Sequence, residues 1–191
     1  SRYSVDNKWH IPHFEKMLYD NAQLVSLYSD AYKATKNELY KKIVYETIDF
    51  INSELKDESG GYYSSLDADS KTSSNVLEEG AFYVWTEKEL KTTLNEDFTV
   101  FSSYYNINTY GYWEDDKYVL IRNEDDEKIA ARHNLSISEI EKIIKNCNSK
   151  LIKIRNKRAK PRLDDKILTS WNGLMIKGFV DSYKAFNEPD F

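Results

Sequence analysis

Three short stretches gather side chains able to move protons. HIPHFEKMLYDNAQL, residues 10–24, carries two of the chain's three histidines, His10 and His13, beside Glu15 and Asp20. GGYYSSLDADS brings Asp67 and Asp69 together, and RLDDKILTSWNGLM brings Asp164 beside Asp165. Carboxylate pairs suit reactions in which one acid protonates a leaving group and the other attacks or activates water. Histidine titrates close to neutral pH, so it can give or take a proton there. The same residues also have plain structural uses. Loop aspartates bond nearby backbone N–H groups, and an anion ahead of a helix suits the helix dipole. Aromatic rings are abundant, with 15 tyrosines and 4 tryptophans; most such rings pack in cores, and some line clefts.

The spacing argues against metal chemistry. His10-x-x-His13 with Glu15 has the look of a zinc half-site, but Pro12 keeps both histidines off one regular helix interior. Zinc also needs three or four well-placed ligands. Asp67-x-Asp69, with Glu78 in twelfth place, has the two ends of a calcium loop. Lys71 and Thr72 stand where a ligand and the turn glycine belong. No metal and no cofactor is expected.

Composition narrows the class. The chain has 191 residues, 40% hydrophobic and 31% charged, enough for a globular domain with a real core. A formal net charge of −5 disfavours a general nucleic-acid binder, which needs a cationic footprint. Cys147 is the only cysteine, so an internal disulfide is impossible, and a cytoplasmic location is the natural reading. No apolar run reaches the roughly 18 residues of a membrane span, and no signal peptide is seen. The chain opens on Ser and stops at EPDF, which reads as a piece of a longer protein.

Helices must position these residues. Residues 1–9 read as an opening loop. Pro12 fits a first helical turn, and Phe14, Met17, Leu18, Val25, Tyr28 and Tyr32 follow helical spacing to about residue 34. Thr35 and Glu38 suggest a capping box for a second helix over 38–55, ended by Gly60-Gly61. The short connector makes the two antiparallel neighbours. Residues 62–70 suggest a strand running into the aspartate loop, 71–80 a polar loop, and 81–85 the returning strand. Thr86 with Glu89, and Ser136 with Glu139, are further capping boxes. They open a short helix to about residue 94 and a long one over 139–158. A short helix over 97–105 and a strand near 118–121 complete the middle. Lys150, Lys153, Arg155, Lys157 and Arg158 read as a solvated cationic end of the long helix, closed by Pro161. A final helix, capped by Thr169 or Ser170, is apolar on most sides between positions 167 and 180, so burial on most sides is expected. Gly173 and Gly178 would let neighbours approach closely.

RYSVDNKWHIPHFEKMLYDNAQL, GGYYSSLDADS, FYVWT and RLDDKILTSWNGLMI together resemble the hallmark segments of the spermatogenesis-associated, thioredoxin-like protein family, over nearly the whole chain. The resemblance implies a mainly α fold: part of an (α/α)6 toroid of antiparallel helix hairpins with short β-hairpin loops. That toroid is similar to those of six-hairpin glycosidases and N-acylglucosamine 2-epimerases, and GGYYSSLDADS also resembles an epimerase loop. The chain lacks a Cys-x-x-Cys, so the family's thioredoxin-like domain is absent from it. It is too short for six hairpins, so residues 1–191 read as one partial toroid domain.

In such toroids the inner-helix starts and the joining loops gather at one face. The resemblance therefore selects His10, His13, Glu15, Asp67, Asp69, Asp164, Asp165, Trp171 and Asn172. It implies that Asp67 and Asp165 form an acid/base pair, His13 shuttles a proton or contacts a sugar hydroxyl, and Glu15 and Asp69 orient them. Tyr62, Trp171 and Asn172 would bind substrate. The expected function is acid/base chemistry on carbohydrate, of the epimerase, isomerase or glycosidase type. The alternative is a non-catalytic binding or scaffold module serving an upstream thioredoxin-like domain. Helix faces left bare by an incomplete toroid would make the chain self-associate.

Overall fold

The computed structural model describes residues 3–191; the first two residues of the expected opening loop, Ser1 and Arg2, lie outside them. In chain order come β1 (Lys16–Met17), α1 (Leu18–Thr35), α2 (Glu38–Glu54), β2 (Ser65–Leu66), β3 (Asp69–Lys71), β4 (Leu77–Glu79) and β5 (Trp85–Thr86). Then follow α3 (Glu87–Leu94), a 3-10 turn (Asn95–Asp97), α4 (Phe98–Tyr104), β6 (Lys117–Tyr118) and α5 (Asp126–His133). The long α6 (Ile137–Arg155), β7 (Leu163–Asp164) and α7 (Thr169–Phe186) complete the order. The fold is mainly α. Among the described residues no helix is long and apolar enough to cross a membrane.

The chain divides into two compact units. The first joins Phe14–Ala68 to Pro161–Phe191; the second joins Tyr3–His13 to Asp69–Lys160. In the first unit α1, α2 and α7 enclose Leu18, Val25, Val44, Ile48, Ile51, Leu55 and Met175. Leu66 closes that core from β2. In the second unit Leu90, Leu94, Phe101, Ile129, Ile140, Ile144 and Leu151 form a separate core. Cys147 is sealed within it, and burial pushes its thiol up to about 11, which removes it from use as a nucleophile.

Both later capping boxes form as expected. Thr86 Oγ1 accepts the Glu89 N–H at 3.2 Å while Glu89 accepts the Thr86 N–H at 2.8 Å. Ser136 and Glu139 repeat the arrangement at 3.3 and 2.8 Å. Other boundaries move. The first helix starts at Leu18, not near Pro12, because the preceding backbone is engaged elsewhere. Ile11 accepts from the Val5 N–H, His13 donates to Tyr3, and Lys16 pairs with Leu66. At the second helix the cap is Asn37, whose Oδ1 accepts the Leu39 N–H at 2.9 Å. Thr35 instead ends α1 and donates to the Ala31 carbonyl.

That second helix stops at Glu54, ahead of Gly60-Gly61, where Asp57 organises a turn. The strand returning to β3 is β4, within the stretch expected as polar loop, while residues 81–83 are turns. The long helix stops at Arg155, well before Pro161. The final helix has Leu168 in the cap position, with no side-chain cap. Its apolar surface is not buried on most sides: Ile176 and Val180 are exposed, as is Ile167 just ahead of it. Sequence hydrophobicity gives the width of an apolar face but not whether a neighbour is present to cover it.

Candidate functional site

The first unit holds a polar cavity of about 400 Å³, built on its three-stranded sheet. β2 is central and antiparallel to both neighbours, with Met17 opposite Ser65 and Ser65 opposite Asp164. Continued by one residue, this register sets Glu15, Asp67 and Arg162 in one row; the Asp67 N–H donating to the Arg162 carbonyl at 2.9 Å extends the ladder that far. Residues opposite one another share a face, and alternate residues along a strand return to it. Glu15, Ser65, Asp67, Arg162 and Asp164 therefore face one way and line the cavity. Leu66 points the other way, into the core. One alternation thus makes both the core contact and the polar wall.

Three carboxylates in the cavity, Glu15, Asp67 and Asp164, stand against two cations, Arg162 and Lys166. Arg162 Nη2 lies 3.5 Å from Asp67 Oδ2. Lys166 Nζ reaches both oxygens of Asp164 at 3.0 Å, and that bond holds the Asp164 carboxyl below its ordinary range. Ser64 Oγ donates to the Lys166 carbonyl at 2.7 Å and fixes the turn after β7. Such a wall offers carboxylate acceptors and cationic donors side by side, the inventory that hydroxyl-rich ligands use.

The residues expected from sequence divide between the two units. Glu15 and Asp67 line this cavity together. Asp165 is exposed and does not line it; the β7 alternation turns Asp164 inward in its place. Asp165 instead adds to the negative field at Tyr63, whose hydroxyl is held up chiefly by its hydrogen bond to Asp57. His13 and Asp69 belong to the second unit. There His13 Nδ1 lies 2.9 Å from Glu79 Oε1, and its ring stacks on Tyr3 with centroids 4.6 Å apart. Asp69 stands directly opposite Glu79 across the β3–β4 pair. His10 lies against Tyr110, with ring centroids 4.2 Å apart.

The three expected substrate contacts do structural work in the first unit. Asn172 Oδ1 accepts the Tyr62 N–H at 2.8 Å, and its Nδ2 donates to the carbonyls of Tyr62 at 3.0 Å and Leu168 at 3.1 Å. This clamp ties the Gly-Gly loop to α7. Tyr62 donates its hydroxyl to Asn52 at 2.9 Å, and Trp171 meets the Tyr19 ring edge-on at 4.8 Å. None of the three lines the polar cavity.

Sequence reasoning missed Ser65, Arg162 and Lys166 as cavity residues and Glu79 as the partner of His13. Their signal was the strand register, which two-residue strands do not announce in sequence. Among the described residues no group of three His, Cys, Asp or Glu side chains is gathered as a metal ion would require.

No protein-family model matches the chain. It is 36% identical over 199 residues to human spermatogenesis-associated protein 20, covering 94% of this chain and 25% of that protein. The mouse protein of the same name is 35% identical over the same coverage. A Caenorhabditis elegans protein described as uncharacterised is 36% identical over 211 residues, covering all of this chain and 29% of its own length. The chain thus spans about a quarter of the length of these relatives. They support the resemblance to the spermatogenesis-associated family.

Proposed function

We propose that the polar cavity of the first unit is a carbohydrate site carrying acid/base chemistry of the epimerase, isomerase or glycosidase type, on the inner wall of a partial (α/α) toroid. The observation that carries this reading is the row Glu15–Asp67–Arg162 across the sheet, with both carboxylates on one polar cavity. Side chains opposite one another in an antiparallel pair have Cβ atoms about 5 Å apart. Two carboxylates at such a distance can flank one sugar bond or carbon, one giving a proton while the other attacks or removes one. Asp67 keeps the role expected of it. Its geometric partner is Glu15 rather than Asp165. Arg162 and Lys166 hold the carboxylates in position and donate to ligand hydroxyls.

A panel of free hexoses, N-acylhexosamines and aryl glycosides, followed by NMR for epimerised or cleaved product, tests the reading. A turnover substrate is expected, and Asp67→Asn should lower kcat by about 10²- to 10⁴-fold, the usual contribution of a positioned acid or base. Unchanged kcat in Asp67→Asn would remove Asp67 from the chemistry.

The second reading, a scaffold module serving a thioredoxin-like domain, draws on the ion pairs Arg162–Asp67 and Lys166–Asp164, which neutralise carboxylates as a structural network does. Absence of turnover across the panel, with an intact fold, favours it. A second copy of the chain is the further partner proposed, through the exposed apolar side chains of α7.

A further inference from the structure

The second unit contains a cavity of about 560 Å³ that the carboxylate chemistry does not use. It is formed by the β3–β4 hairpin, the start of α3 and the chain just after α6. Its charge runs against that of the chain. Four cations line it, Lys71, Lys117, Lys157 and Arg158, against two carboxylates, Glu78 and Glu89. That leaves two positive charges in a chain of net charge −5.

Both carboxylates are committed. Lys117 Nζ holds Glu78 at 2.7 Å, and Arg158 Nη2 holds Glu89 at 3.2 Å. Arg158 is not part of a solvated helix face, as its position in the basic run suggested. Its Nη1 donates to the carbonyls of Ala81, Phe82 and Val84 at 3.2, 3.1 and 2.7 Å, and its guanidinium lies 4.0 Å from the Trp85 ring centroid. It therefore fixes one wall. Lys71 and Lys157 are exposed at the rim, and their side chains have no hydrogen-bond or ion-pair partner among the described residues. The wall between them is apolar, supplied by Ala81, Val84, Ile154 and Ala159.

We propose that this cavity binds a small organic anion, one acidic group carried on an apolar body. The anion lies between Lys71 and Lys157, and the apolar body covers Val84 and Ile154. The volume falls within the roughly 300–1,000 Å³ of small-molecule sites, which pair an apolar lining with a few placed charges. A concave wall of one charge also concentrates ligands of the opposite sign. A polyanion such as nucleic acid would meet the repulsion of the chain's net negative charge.

Phenyl phosphate is the probe, titrated into the chain by calorimetry and by amide chemical-shift mapping. Saturable binding is expected, with shifts confined to residues 71–73, 81–86 and 154–159. The exposed double variant Lys71→Gln/Lys157→Gln, whose melting temperature checks the fold, should bind about tenfold more weakly, the scale of two rim charges. Phenol and inorganic phosphate should each bind more weakly than phenyl phosphate. Three results would overturn the proposal: no saturation by phenyl phosphate at millimolar concentration, an unchanged affinity in the folded double variant, or inorganic phosphate binding as tightly as phenyl phosphate.

Discussion

Asp6 organises the loop that delivers His10 and His13. Its carboxylate accepts the N–H groups of Lys8 at 2.6 Å, His10 at 3.1 Å and Ile11 at 2.6 Å, together with the Ser4 hydroxyl at 3.2 Å. These bonds, the one from Ile11 foremost, hold its pKa at about 2. A carboxyl of the unfolded chain titrates near 3.9. The folded value is the lower one, so this loop's stabilisation is complete above about pH 4 and is lost as pH falls through 2. Asp57 acts in the same window in the first unit, held to about 2 by Ser59 and Tyr63. Following the Ile11 amide by NMR from pH 5 to 1.5 should give a midpoint near 2, and Asp6→Asn should abolish that transition. A midpoint near 4 would mean that the carboxylate is not held as described.

At the scale of the element, α7 shows how two glycines in one helix differ. A Cβ at Gly178 would lie 3.0 Å from the Ala22 carbonyl oxygen on α1 and 3.4 Å from a Val25 methyl carbon. At Gly173 it would meet nothing within 4 Å. Gly to Ala in a helix interior gains about 1 kcal/mol from propensity. Overpacking a close contact costs about 1–3 kcal/mol. At Gly178 the obstacle is backbone, so the cost exceeds the gain. Gly173→Ala should therefore stabilise by up to about 1 kcal/mol, whereas Gly178→Ala should destabilise by up to about 2 kcal/mol. Urea melts of the two variants decide it; equal midpoints would show that α1 yields freely at Ala22.

At the scale of the molecule, each unit closes its own core, yet α7 presents an uncovered stripe. Ile176, Val180 and Tyr183, spaced four and three apart, are 64, 44 and 47% exposed. Residues at that spacing share one helix face, while Met175, Gly178 and Ser182 are buried on another. Contiguous apolar patches on soluble chains drive association. Light scattering at rising concentration should therefore show self-association, and Ile176→Lys/Val180→Lys should return the monomer. A wild-type chain that stays monomeric at high micromolar concentration would show that this stripe does not pair with its own copy.

The sequence by itself determined the long helices and several of their ends, though not α5. Apolar side chains at helical spacing, the Thr86–Glu89 and Ser136–Glu139 boxes and the single cysteine are local chemistry, fixed by residues three or four apart. It also marked Glu15 and Asp67 as residues to watch. Only the tertiary structure decided which residues keep them company. Glu15, Asp67 and Arg162 come from three distant segments and meet through a sheet with two-residue strands, too short for alternation to register as a pattern. The same pairing held residues 16–17 out of the helix that their apolar spacing suggested, because hydrogen bonds to a distant strand outweigh a weak local preference. Arg158 was hidden for a similar reason. Its three carbonyl acceptors lie more than 70 positions away, so a basic run gives no sign that one of its members is a half-buried clamp.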